Sequence, residues 1–230
     1  MRKIAEILLL YLPITFIVIS FSLVIAYKWI PVKWTPLMLK RMVENICIEG
    51  YSNKQVWVEK SMIDPVLIEA IIIAEDQRFY SHSGFDIVEL KKMKDEHDNY
   101  GKGLRGCSTI SQQVAKNCFT FGTRNVIRKL VEAYYTVLIE LIWGKERILE
   151  VYLNVAETGI GLYGVEAACR RYFFTSSQNI YADDAVALAC VFPKPLTRTP
   201  HSVRTTHVIK MNQLTKELNT SRCVCSFDRK

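Results

Sequence analysis

The stretch TRNVIRKLVEAYYTVLIELIW, residues 123–143, decides the fold class of this chain. Apolar side chains recur along it three or four residues apart, which is the spacing of one face of an α-helix. They are Val126, Ile127, Leu130, Val131, Tyr134, Leu138, Leu141 and Ile142. Gly144 follows directly and is a typical helix stop. We therefore expect a long helix at the centre of a helical domain.

Two further helices are predicted from the residues that begin them. Asp64 precedes Pro65, so a capping side chain stands before a proline in the first turn, and the apolar run behind them ends near Glu75. Thr109 and Gln112 have the spacing of a capping box at the start of the second helix. Shorter helices are predicted over residues 145–153, 163–173, 182–191 and 202–218.

The remaining segments do not favour a sheet. No sustained alternation of polar and apolar residues predicts a long strand, so the predicted fold class is all-α, mainly helical. Glycine and charged residues are frequent over residues 83–106, which we interpret as a mobile loop with one short helix.

The apolar surplus of the chain lies at its N-terminus. Residues 7–27 contain no charge, and these twenty-one residues would span about 31 Å as a helix, the thickness of a bilayer core. A cleaved signal peptide is the alternative, but its apolar region is usually about 7–15 residues long. We predict a short N-terminal segment (1–6), a transmembrane helix (7–27), a connector (28–60) and a globular domain (61–230). Basic residues on both sides of the span leave its orientation open.

Composition limits the partners of the globular part. The 230 residues are 50% hydrophobic and 23% charged, which excludes a disordered or low-complexity chain. The formal net charge of +7 favours anionic partners, and beside a membrane span we expect lipid rather than nucleic acid. The seven cysteines are an odd number without zinc-type spacing, and we interpret them mainly as small core residues.

Glu75 is the first candidate for chemistry. It ends an apolar helix and precedes Asp76, so apolar surroundings and the negative end of the helix dipole would both raise its proton affinity. A carboxylate of that kind suits a general base near neutral pH, although a solvated acidic helix end is the simpler alternative. His82, close behind, is a weaker candidate for a base or a ligand, since a single histidine is more often structural.

A second group of candidates shares one face of the long helix. Arg124, Arg128 and Glu132 are spaced by four residues, and Lys129 lies beside them. The cations could hold a diphosphate, and the carboxylate could orient them or a metal ion. Ordinary surface ion pairs would give the same pattern.

Four ordered segments together carry a family resemblance. They are EDQRFYSHSG (75–84), GCSTISQQVAKN (106–117), RKLVE (128–132) and KERILEVYLN (145–154). In this order they resemble the successive motifs of the peptidoglycan glycosyltransferases, and the similarity covers roughly residues 60–200. With one short domain behind one span, the chain is similar to the monofunctional members of that family.

The resemblance implies a fold, a location and a set of site residues. It implies a lysozyme-like glycosyltransferase domain over residues 61–230 and a single-pass anchor in the bacterial inner membrane. The cytoplasmic N-terminus would be residues 1–6, and the catalytic domain would lie on the outer, periplasmic face. Glu75 would be the general base and Glu132 the second essential acid. The substrate-binding residues would be Asp76, Phe79, His82, Ser108, Thr109, Gln112, Gln113, Lys116, Asn117, Arg124, Arg128 and Lys129.

The same resemblance implies substrates and partners. The substrates would be lipid II and the growing glycan chain, with membrane lipid around the anchor and cell-division or cell-wall synthesis proteins as partners. No tightly bound cofactor is expected, and a divalent cation, Mg²⁺ or Mn²⁺, held at Glu132 is an open alternative. The reaction would be an inverting glycosyl transfer that releases undecaprenyl diphosphate and builds the cell wall. The alternatives are a lytic glycan-cleaving enzyme of similar fold and a non-catalytic membrane subunit of the synthesis machinery.

Overall fold

The computed structural model describes residues 2–48, 51–101, 108–122 and 125–227. These residues form eleven α-helices and three short strands, which confirms the mainly helical prediction. The helices are α1 (Arg2–Trp29), α2 (Pro36–Asn45), α3 (Pro65–Glu75), α4 (Ile87–Tyr100), α5 (Ile110–Phe119), α6 (Val126–Ile142), α7 (Lys145–Val155), α8 (Val165–Phe173), α9 (Ala182–Ala189), α10 (Pro200–Thr206) and α11 (Val208–Phe227). The strands are β1 (Lys54–Gln55), β2 (Glu157–Gly159) and β3 (Leu162–Tyr163).

Helices α3 and α5 begin where their capping residues predict. The Asp64 carboxylate accepts the backbone N–H of Val66 at 2.8 Å, and Pro65 occupies the first turn of α3. Thr109 and Gln112 form both bonds of the predicted capping box at the start of α5. The starts of the two helices are therefore fixed by local sequence.

The core lies between α5 and the helices around it. Helix α5 packs against both α6 and α7, while α3 packs against α9 and α11. Every residue of α7 from Ile148 to Val155 except Glu150 is buried, so this helix runs through the middle of the domain. Cys118, Cys169 and Cys190 are buried in the same core, as predicted, whereas Cys47 is exposed and Cys107 lies outside the described residues.

The structure refines the expected secondary structure at three places. The predicted loop 83–106 contains the fourteen-residue helix α4, which is capped by Asp86 through the Glu89 N–H and ends at left-handed Gly101. The stretch 202–218 lies in two helices, because the backbone leaves helical geometry at His207. A three-stranded sheet in the order β1-β3-β2 is also present, with strands too short to show a sequence alternation.

Residues 28–60, predicted as a connector, contribute to the domain. They contain α2 and β1, and β1 pairs in parallel with β3. The Gln55 side chain donates to the backbone carbonyls of Val32 and Asn154 at 3.0 and 2.9 Å. This segment therefore brings α2 against α5, next to the site described below.

Helix α1 is joined to the globular part by backbone acceptors near its end. Its stretch Tyr11–Trp29 is, within the described residues, the one segment long and apolar enough to cross a membrane. Trp143 Nε1 donates to the carbonyl of Val24 at 2.7 Å, and Arg147 donates to the carbonyls of Tyr27 and Ile30. The apolar helix is thus attached to the start of α7 rather than separated from it by a free linker.

Candidate active site

Glu75 is the last residue of α3 and is partly buried against α5. Gln113, one turn into α5, donates from Nε2 to Glu75 Oε2 at 2.7 Å. Tyr152 of α7 lies behind Gln113, with its hydroxyl 3.4 Å from Gln113 Oε1. Helices α3, α5 and α7 therefore meet at Glu75, the predicted general base. The raised proton affinity of Glu75 remains a prediction from the sequence.

The neighbouring Asp76 points inward and connects two elements. Its Oδ2 accepts the backbone N–H of Ile110 at 2.9 Å, and its Oδ1 lies 3.0 Å from Nε2 of His82. Because Nδ1 of His82 accepts the N–H of Gly84, Nε2 must carry the proton that bonds to Asp76. Asp76 thus ties the end of α3 to the start of α5 and holds the turn that follows α3.

The predicted substrate-binding residues fall into two groups. Asp76, Phe79, Thr109, Gln112 and Asn117 are buried, as is the side chain of His82. Two of these residues contact other parts of the domain. Thr109 Oγ1 donates to the carbonyl of Gly84 at 2.7 Å, and Lys145 Nζ lies 4.5 Å from the centre of the Phe79 ring. The residues left with exposed or partly exposed side chains are Ser108, Gln113, Lys116, Arg128 and Lys129.

Glu132 forms the second half of the site, on the first turns of α6. Asn125 caps this helix by accepting the N–H of Arg128 at 2.7 Å. The Glu132 carboxylate is only 2% exposed and forms ion pairs with both Arg128 and Lys129. Lys129 keeps 48% of its side chain exposed and reaches Ser108 Oγ, 3.5 Å away at the start of α5. Arg124, predicted on this face, lies outside the described residues.

Lys116 links the two carboxylates. It lies on α5, close to Gln113 in helical spacing, and interacts electrostatically with both Glu75 and Glu132. Burial lowers the pKa of Lys116, and the nearby carboxylates oppose that effect. The structure therefore brings Glu75, Lys116 and Glu132 together, with Arg128 and Lys129 on the outer side.

Two members of this cluster were missed in the sequence. Arg41 of α2 pairs with Glu157 of β2, with Arg41 Nε 3.3 Å from Glu157 Oε1. Burial raises the pKa of Glu157, whereas Arg41 and Lys116 lower it. Neither residue belongs to a charged pattern in the sequence, and only the packing of α2 and the small sheet brings them to Lys116.

The surroundings of Glu132 do not suit a divalent cation site. One carboxylate oxygen bonds to Arg128 and the other to Lys129, so a metal ion would share Glu132 with two positive charges. Asp76, His82 and Asp86 also bring ligand atoms within 4.8 Å of one another. Those atoms bond to one another and to neighbouring groups: Asp86 accepts the Glu89 N–H, and its Oδ2 lies 3.3 Å from Arg78 Nε. A divalent cation bound elsewhere near Glu132 stays a prediction.

Comparison with known proteins identifies the family. The family model described as Transglycosylase matches residues 40–219. The chain belongs to the transglycosylase family. The match begins within α2, so the family's own boundary includes part of the segment predicted as a connector.

Three curated relatives of this transglycosylase are named biosynthetic peptidoglycan transglycosylase. The protein from Bdellovibrio bacteriovorus is 44% identical over 181 residues, covering 78% of this chain and 72% of the relative. The protein from Caulobacter vibrioides is 42% identical over 195 residues, covering 85% and 82%. The protein from Haemophilus influenzae strain Rd is 41% identical over 179 residues, covering 76% and 72%.

Lys129 provides a test of whether the basic face acts on substrate. Since its side chain is half exposed, Lys129→Ala should leave the melting temperature nearly unchanged. Transglycosylase turnover should fall by at least about 100-fold, because an electrostatic group facing the reaction is lost. The measurement is a thermal melt and a turnover assay on the same preparation.

Lys92→Ala is the matched control, because Lys92 is an exposed lysine on α4 whose carboxylate partner, Glu89, is 3.9 Å away. It should change neither quantity. If Lys129→Ala kept full turnover and melted much earlier than the parent protein, the Arg128–Lys129–Glu132 cluster would be a structural ion-pair group instead.

Proposed function

We propose that this chain polymerises peptidoglycan glycan strands by joining lipid II disaccharides through inverting glycosyl transfer. The observation that carries the proposal is the proximity of Lys116 to both Glu75 and Glu132 in one cluster of charged side chains. One carboxylate can take a proton, and the cations around the other can bind a diphosphate. The family and the relatives' printed names support the same reaction.

Glu75 acts as the base in this proposal. The 4-hydroxyl of one sugar attacks the anomeric carbon of a lipid-linked disaccharide, and Glu75 accepts the hydroxyl proton. The new glycosidic bond forms as the bond from the anomeric carbon to the diphosphate oxygen breaks, and the electron pair leaves with undecaprenyl diphosphate. The bond from Gln113 Nε2 to Glu75 Oε2 holds this carboxylate beside α5.

The leaving diphosphate needs cations more than it needs a proton. Arg128 and Lys129 pair with buried Glu132, which fixes their positions on α6, and Lys129 remains half exposed. Lys116 adds a third cation from α5, with Glu75 and Glu132 within electrostatic reach. Side chains of this chain therefore neutralise the leaving group without a tightly bound cofactor, while Glu132 orients the cations.

The position of α6 supports a membrane location. Its outward face carries Val126, Ile127, Leu130 and Leu141, which are 76%, 72%, 67% and 78% exposed. The same helix packs on α1, where Tyr134 shares a 2.7 Å hydrogen bond with Ser20. An apolar face of this size beside an apolar helix favours contact with the bilayer, where the polyprenyl chains of the substrate lie.

We infer a single-pass inner-membrane protein whose domain faces outward, because the proposed substrate, lipid II, would be polymerised on the outer face. Interaction with cell-division or cell-wall synthesis proteins stays a prediction, and it follows from the shared substrate alone.

The orientation is tested by protease treatment of spheroplasts. The domain behind residue 28 should be digested while the inner membrane is intact, because it lies outside. A cytoplasmic protein probed in the same sample must survive as the control. Protection of the domain until the inner membrane is lysed would contradict both the orientation and the assignment of lipid II.

The role of Glu75 is tested with Glu75→Gln in a lipid II turnover assay. The amide keeps the shape of the side chain but does not accept the proton, and loss of a general base typically costs about 10²–10⁴-fold. We expect at least about a hundredfold loss of turnover while lipid II still binds.

Glu146→Gln removes an exposed carboxylate of α7 that pairs with Lys60, and it should leave turnover unchanged. Turnover of Glu75→Gln within a few-fold of the parent protein would show that another group takes the proton.

A further inference from the structure

Glu157, the first residue of β2, is held beside the site by two elements. Its side chain is only 9% exposed, and Arg41 of α2 contacts both of its oxygens: Arg41 Nε lies 3.3 Å from Oε1, and Nη2 lies 3.4 Å from Oε2. The backbone of Glu157 is paired with Tyr163 of β3, and the N–H of Gly164 donates to the carbonyl of Ala156 at 2.9 Å. Helix α2 and the small sheet therefore fix where this carboxylate lies.

The contact between Arg41 and Glu157 leaves Glu157 able to act on a second cation. Arg41 Nε and Glu157 Oε1 are buried, and among the described residues neither atom has a hydrogen bond, so this part of the contact is an ion pair alone. Arg41 also donates from Nη1 to Glu44 Oε2 at 3.0 Å, so it divides its charge between two carboxylates. The second cation that interacts with Glu157 is Lys116.

Lys116 lies in the last turn of α5, which packs against α2, and its side chain is partly buried. Three carboxylates interact with it electrostatically, those of Glu132, Glu157 and Glu75. Each of them is held by another residue: Glu132 by Arg128 and Lys129, Glu157 by Arg41, and Glu75 by Gln113. The charge of Lys116 is thus supported by carboxylates whose positions are set elsewhere in the domain.

We propose that Glu157 is a positioning residue that keeps the Lys116 ammonium charged at the site, and that Arg41 holds Glu157 there. Neither Glu157 nor Arg41 needs to touch the substrate for this role. The effect on turnover rests on the proposed function of Lys116 as a cation for the leaving diphosphate, whereas the effect on the charge of Lys116 does not.

The electrostatic balance at Lys116 makes such support necessary. Burial lowers the pKa of Lys116, and this is the largest effect. Glu132 of α6, Glu157 of β2 and Glu75 of α3 raise it, while Arg128 of α6 lowers it. Removing one of the three carboxylate charges therefore shifts the balance towards the neutral amine.

The other ionisable groups on the helices packed against α5 are paired or neutral. Tyr152 of α7 keeps its proton, because burial and the nearby carboxylates of Glu75 and Asp76 raise the pKa of its hydroxyl. The charged residues of these helices that do not pair with Glu132 or Glu157 form pairs of their own: Arg147–Glu150, Lys145–Glu140, Glu146–Lys60 and Lys40–Glu44.

Glu157→Gln tests the role of the charge, because it keeps the shape of the side chain and an oxygen for Arg41. Acetic anhydride modifies only the neutral form of a lysine, so the pH dependence of Lys116 acetylation, followed by mass spectrometry on the full chain in detergent, measures its protonation. We expect this titration to move to lower pH by about 0.5–1 unit, which makes acetylation about 3–10-fold faster below the midpoint.

Turnover should report the same change. The basic limb of the kcat/KM profile should move to lower pH by the same amount, because the neutral amine no longer binds the diphosphate. Glu157→Asp keeps the charge and should leave both titrations close to those of the parent protein. A merely structural role would lower the melting temperature of both variants and move neither titration.

Glu44→Gln is the matched control, because it removes the other carboxylate partner of Arg41. Glu44 is 42% exposed on α2, and neither titration should move in this variant. If Glu157→Gln melts early, the double variant with Arg41→Gln leaves no uncompensated charge in the pair and must show the same downward shift of the Lys116 titration.

The two readouts separate this inference from the proposed function. An unmoved Lys116 titration in a folded Glu157→Gln or in the double variant would overturn the positioning role and leave the proposed reaction untouched. A shifted Lys116 titration with an unmoved kcat/KM profile would support the role of Glu157 and would instead contradict the proposed function of Lys116 at the diphosphate.

Discussion

The hydrogen bond from the Ile110 N–H to the Asp76 carboxylate joins the end of α3 to the beginning of α5. It satisfies one of the unpaired N–H groups at the start of α5, and it places a negative charge at the positive end of that helix. Because Glu75 precedes Asp76, the same bond fixes how far α5 lies from the proposed base. Gln113 and Lys116 then follow on α5 at the distances that the helix imposes.

The carboxylates of Glu132 and Glu157 are neutralised by ion pairs with neighbouring cations rather than by solvent. Glu132 is buried between Arg128 and Lys129, and Glu157 is partly buried beside Arg41. Losing both cations at Glu132, or Arg41 at Glu157, would leave a carboxylate charge without a partner, which is costly, so the cluster holds its geometry before substrate arrives. A diphosphate entering at half-exposed Lys129 would add negative charge where two cations share one carboxylate. This preorganisation suits a reaction whose leaving group is an anion.

The helices could be predicted because their signals are local. Asp64 with Pro65, and Thr109 with Gln112, begin helices through contacts two or three residues away, and the structure has these bonds. Helix α4 was predicted only as one short helix within a loop, because its sequence is mostly polar and its Asp86 cap was not recognised. The lysozyme-like character of the fold and the domain boundaries stay predictions from the family resemblance.

The site could be predicted only in part. Glu75 and Glu132 stand out by position and pattern, but the burial of Asp76 and His82 depends on contacts with α5 and with Gly84. The pair of Arg41 and Glu157 joins residues 116 positions apart, and no local pattern indicates such a contact. Long-range packing therefore decides which of the predicted site residues keep exposed side chains and which are buried in contacts within the domain.

The most direct test of the account is the product balance of the purified chain with labelled lipid II. The account predicts one undecaprenyl diphosphate released for each disaccharide joined, and a polymer that lysozyme cleaves. A chain that released no diphosphate and instead cut preformed glycan would be a lytic enzyme. That result would contradict polymerisation by the cleft of Glu75, Lys116 and Glu132.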